Sequence, residues 1–196
     1  MNRTTRPLAV IAAFGASLVV GLLVTFWLVG GFGGVAKPAA IGGPFQLTDQ
    51  SGQIVTEKNL LGRPTIIFFG FTHCPDICPT SLFEMSEVLR AMGPDAGKVN
   101  AYFISVDPER DTTAAMKDYL SSFDPNLKGL TGTPDEITKV TLAYRVYVKK
   151  VPLKDGDYTM DHTALIYLMD RNGKFVRPFD LNRKPNEAAE ELKRYL

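Results

Sequence analysis

The sequence predicts an α/β domain with a mixed central sheet and helices on both faces, carried behind one membrane-spanning helix. Three observations predict it. Thr65 to Phe69 is a short β-branched and aromatic run, the pattern of a buried strand. Pro79 to Met92 then places Leu82, Met85, Val88, Leu89 and Met92 at helical spacing. Val99 to Val106 and Thr112 to Ser122 repeat the strand–helix order, which implies parallel neighbours joined by right-handed crossovers. Later, Asp170-Arg171-Asn172-Gly173 separates the runs Thr163 to Met169 and Lys174 to Phe179, a hairpin that adds antiparallel pairing.

The elements follow in chain order. Leu8 to Val29 is 22 residues without a charge, preceded by Arg3 and Arg6. About 20 such residues span a hydrocarbon core, whereas a cleaved signal has an apolar region of about 7–15 residues. The expectation is a retained anchor at 8–29 with residues 1–7 cytoplasmic, because arginines favour that side. Gly30 to Gly43, rich in Gly, Ala and Pro, reads as a flexible linker, and residues 44–196 as a periplasmic domain. Pro44 to Thr56 carries two short strands around Asp49-Gln50-Ser51-Gly52, and Gly62-Arg63-Pro64 breaks the chain before the strand at 65. Asp124-Pro125-Asn126 reads as a loop. Thr133-Pro134-Asp135-Glu136 gives an N-cap, a proline at the first position and acids in the first turn of a helix to about Ala143. Tyr144 to Val151 alternates as a strand, 154–157 is a turn, and Pro185 to Leu196 is a terminal helix.

Both cysteines, Cys74 and Cys78, lie where the first core strand hands over to its helix, which is the look of a thioredoxin-like fold. A helix N-terminus there is expected to lower the thiol pKa. The net charge of +1, with no basic stripe, excludes nucleic acid as a partner. In an exported domain two close cysteines suggest a disulfide, but so small a loop stabilises a domain of this size little. The spacing is one residue longer than the C-x-x-C of thiol oxidoreductases. Helical i, i+4 Cβ atoms stand about 5–6 Å apart, wider than a disulfide prefers and open to a metal. Of the two histidines, His73 adjoins Cys74 and points elsewhere, while His162 precedes the strand expected beside the cysteine loop. Two thiolates and one imidazole suit copper better than iron–sulfur or structural zinc, which ask for four ligands. Met85 and Met92 fall on the helix's apolar side and read as core. Asp107-Pro108-Glu109-Arg110-Asp111 reads as a strand-ending turn with local ion pairs, and Asp161 as a possible orienting carboxylate for His162.

The blocks from Phe69 to Thr80, from Ser105 to Asp111, Tyr144-Arg145-Val146-Tyr147 and Asp161-His162-Thr163 closely resemble the Sco/SenC family, in order and spacing, from about Gly43 onward. The resemblance implies a membrane-anchored thioredoxin-like domain of the bacterial inner membrane that binds copper through Cys74, Cys78 and His162. It implies service in maturing the dinuclear copper centre of cytochrome c oxidase subunit II. An upstream copper donor and a periplasmic thioredoxin-like reductant are the expected further partners. The alternative is a thiol–disulfide reductase in which Cys74 and Cys78 form a redox-active pair that keeps a target's metal-binding cysteines reduced; a peroxidase is a third reading.

Overall fold

The computed structural model describes residues 5–28, 40–154 and 156–196, with side chains from residue 12 onward. Residues 1–4, the last residue of the expected anchor (29), most of the expected linker (30–39) and residue 155 of the expected turn lie outside the described residues. The chain divides into two compact units, Met1–Ala39 and Ala40–Leu196.

The first unit holds helix α1, Thr5–Leu28. Its described apolar side chains, Phe14, Leu18, Leu22 and Trp27 among them, are exposed. Among the described residues no helix is long and apolar enough to cross a membrane. The side chains of α1 are described only from Ala12, which leaves them short of the about 20 residues a span requires.

The second unit is a seven-stranded sheet of order β2-β1-β5-β4-β3-β8-β9 and a separate two-stranded sheet, β6-β7. Strands β3 (Thr65–Gly70), β4 (Asn100–Ser105) and β5 (Leu127–Thr131) run parallel; β1 (Gln46–Asp49), β2 (Ile54–Thr56), β8 (Ile166–Met169) and β9 (Phe175–Pro178) add antiparallel pairs. Every residue of β3 is buried, as its apolar run requires of a central strand. Helices cover both faces. On one, α2 (Ile77–Met92) packs with α5 (Pro185–Lys193) and α3 (Thr113–Leu120) packs on β5, with Phe68, Phe103 and Tyr119 in ring contact beneath. On the other, Tyr144, at the end of α4 (Pro134–Ala143), meets the rings of Phe69 and Tyr167. This is the expected thioredoxin-like mixed sheet.

Local chemistry explains the boundaries. Thr133 and Glu136 form a reciprocal capping box at α4, with Glu136 accepting from the Thr133 amide at 2.8 Å. The strand expected from Tyr144 begins only at Val148 (β6, Val148–Pro152), because Arg145 adopts φ 55° and turns the chain out of α4. The expected loop near 124–126 leads at once into β5. Its Gly129 hides the strand pattern, because a Cβ there would stand 2.6 Å from a Leu120 methyl and 2.8 Å from the Met116 terminal carbon. Close approach of α3 requires the glycine. Strand β7 (Tyr158–His162) completes the strand pair expected around the turn at 154–157, and His162 is its last residue, paired with Val148.

Candidate metal centre

The centre forms at the carboxyl ends of β3 and β4, where a loop leads into the N-terminus of α2. Helix α2 begins at Ile77, two residues earlier than Pro79, so Cys78 lies in its first turn and Cys74 in the loop ahead of it. Pro79 is tolerated there because first-turn amides have no intrahelical partner. Both cysteines are free thiols, Cys74 half-buried and Cys78 buried. The Cys78 amide donates to Cys74 Sγ at 3.3 Å.

His162 arrives from the other sheet. Its Nε2 stands 3.8 Å from Cys78 Sγ, and its ring lies edge-on to Phe71 and Phe68, with centroids at 5.8 and 6.4 Å. The other ring nitrogen, Nδ1, is 3.0 Å from the Thr163 carbonyl oxygen. A carbonyl only accepts, so Nδ1 carries the proton and Nε2 turns its lone pair toward the sulfur. The Thr163 carbonyl therefore does the orienting expected of Asp161, which is exposed. His73 is also exposed and turns to the Thr72 hydroxyl at 3.0 Å.

Burial pushes the Cys78 thiol pKa well above its ordinary value; the Phe71 backbone hydrogen bond opposes this, while Cys74 and Asp111 reinforce it. The expected lowering by the helix N-terminus is overturned at this residue, because desolvation outweighs the helix dipole. The sulfur is enclosed from below as well. A Cβ on Gly70 would stand 2.8 Å from Cys78 Sγ and 2.7 Å from the Phe103 ring. Gly70→Ala is expected to destabilise the domain by about 1–3 kcal/mol through overpacking, read as a lower urea midpoint. An unchanged midpoint would show that α2 yields freely there.

The loop itself is held by Asp111, which is fully buried. Its carboxylate accepts from the Thr72 amide at 3.2 Å and from the Thr72 and Ser105 hydroxyls, both at 2.6 Å. Burial raises its pKa, partly offset by those hydrogen bonds. Sequence reasoning placed Asp111 in a local turn and missed this role, since its partner lies 39 residues earlier.

The donor set suits a soft, thiophilic ion. Cys78 Sγ and His162 Nε2, 3.8 Å apart, are close enough for both to reach one such ion. Among the described residues no group of three or more His, Cys, Asp or Glu stands at metal-holding spacing.

The chain is similar to proteins of known sequence and structure. The structure of Bradyrhizobium japonicum ScoI with copper bound is 76% identical, covers 80% of this chain and 100% of its own, and superposes with a TM-score of 0.79. Arabidopsis thaliana ScoI with copper bound is 45% identical, over 79% of this chain and 97% of its own, with a TM-score of 0.71. The mitochondrial SCO1 homolog 1 of Arabidopsis thaliana is 44% identical over 165 residues, 82% of this chain and 49% of that protein, so the chain spans about half of that relative's length. The SCO1/SenC family model matches residues 34–196, the stretch that holds the sheet, the cysteine loop and His162, and the chain belongs to that family.

Proposed function

We propose that this chain is a copper-delivery protein that holds one copper ion through Cys74, Cys78 and His162 and passes it to the dinuclear copper centre of cytochrome c oxidase subunit II. The observation that carries the reading is the 3.8 Å approach of Cys78 Sγ, in the first turn of α2, to His162 Nε2, at the end of β7 in the separate two-stranded sheet. The copper-bound relatives support it. Copper is cargo here, taken from an upstream donor and released to the recipient. The soft thiolates favour copper(I), and the imidazole adds a donor acceptable to both oxidation states.

The run 8–29 is assigned as a membrane anchor in the bacterial inner membrane, with Arg3 and Arg6 on the cytoplasmic side and the domain in the periplasm. As a helix it measures about 33 Å against a core of about 30 Å. Anchoring confines the domain near the membrane and raises its effective concentration for a membrane-bound recipient. Removing residues 1–34 is expected to leave copper binding intact but to weaken delivery in cells. Full restoration of oxidase activity by an exported soluble version at matched abundance would reduce the anchor to a retention device.

One observation favours a second reading. Cys74 is half-buried and Cys78 buried, the asymmetry of an attacking and a resolving thiol in a thiol–disulfide reductase. The test compares oxidase activity in cells carrying His162→Ala with cells carrying the double cysteine-to-alanine variant. Loss in both is expected. Loss in the cysteine variant alone would replace copper delivery by thiol reduction.

A further inference from the structure

Among the described residues, the β6–β7 hairpin that carries His162 shares no strand pairing with the main sheet. What places it is a side chain from the turn after β4. Arg110 Nε pairs with the buried Asp107 at 2.5 Å. One terminal nitrogen of the same guanidinium donates to the Tyr158 carbonyl at 3.0 Å and meets the Asp157 carboxylate at 3.2 Å. The guanidinium carbon lies 3.7 Å from the Tyr158 ring centroid and 5.9 Å from that of Phe71. Tyr158 closes the set by donating its hydroxyl to Asp107 at 2.9 Å. Tyr158 opens β7 and His162 ends it, while Phe71 begins the cysteine loop and touches the His162 ring. The other link from this turn, Lys150 to Glu109, joins two exposed side chains and contributes little.

We propose that Arg110 is a positioning residue for the metal centre: by clasping Tyr158 against Asp107 and Phe71 it fixes the hairpin so that His162 meets Cys78. The planar fork is essential, because one face stacks on the tyrosine while two edges bind the carboxylate and the carbonyl, which lysine cannot do together. The inference rests on His162 being a copper ligand, and its test separates the two claims.

The first readout needs no copper. In the full-length chain in detergent, the His162 ring protons carry ring-current shifts from Phe71 and Phe68. Arg110→Ala is expected to move them toward free-histidine values, and Arg110→Lys to restore them only in part. Tyr158→Leu removes the platform but keeps the Arg110–Asp107 pair, so it gives the same shift without leaving Asp107 uncompensated. The second readout is copper affinity, expected to fall by about 10- to 100-fold in both variants, and to fall no further when Arg110→Ala is added to His162→Ala. Unmoved His162 protons in both variants, or an equal loss with and without His162, would overturn the proposal. If His162→Ala alone binds copper as tightly as the parent, the ligand assignment fails instead, while the shifts still decide what Arg110 does.

Discussion

Joining Cys74 and Cys78 in a disulfide is expected to remove copper binding almost completely. The two thiols give up two protons and two electrons to an external oxidant, and neither sulfur is then a thiolate able to hold the ion. The chain is well placed for this change, because Cys74 lies ahead of α2 with its sulfur already on the Cys78 amide at 3.3 Å. The check is copper retention through gel filtration, with the disulfide verified by mass. The reduced protein should keep about one ion and the oxidised protein close to none, and thiol reduction should restore loading. Equal retention in both states would show that the cysteines are not the main ligands. The gate implies a reductant in the same compartment, the role expected of a thioredoxin-like partner.

Asp111→Ala is expected to be among the most destabilising single changes in the domain. It strips acceptors from the Thr72 amide and from the Thr72 and Ser105 hydroxyls beneath the cysteine loop. Orphaned buried donors cost about 1–3 kcal/mol each, and relief of a buried charge returns part of that, for a net loss of about 2–4 kcal/mol or roughly 5–15 °C in Tm. Asp111→Asn should cost less, since the amide keeps one acceptor. The same residue gives a signed pH effect. Its folded pKa is raised above 3.8 by burial, so on acidification the folded state takes up this proton before the unfolded chain does. This group's contribution to stability therefore grows as pH falls through the folded value and levels off below 3.8. Melting curves of the parent and Asp111→Asn should diverge in that direction through this window; parallel curves would contradict it.

Much of the fold was legible because its signals are local. The buried run at β3, the capping box at Thr133 and Glu136 and the Asp170–Gly173 turn each declare themselves within a few residues. What stayed hidden depends on distant partners. Gly129 weakens the pattern of β5 because α3 needs the space. At the centre, the approach of His162 to the cysteine loop could be anticipated from residue type and strand order. The raised Cys78 pKa could not, because it follows from burial that a helix-start argument does not contain. Nor could the tasks of Asp111 and Arg110, whose partners lie 39 and 48 residues away.

The central claim is that copper lies between Cys74, Cys78 and His162. The most direct measurement is X-ray absorption at the copper edge of the full-length, copper-loaded chain beside its His162→Ala variant. The account predicts two sulfurs and one imidazole in the parent, with the imidazole signature absent from the variant and the sulfur signal retained. An imidazole signature that survives in His162→Ala, or a parent spectrum without two sulfurs, would contradict it.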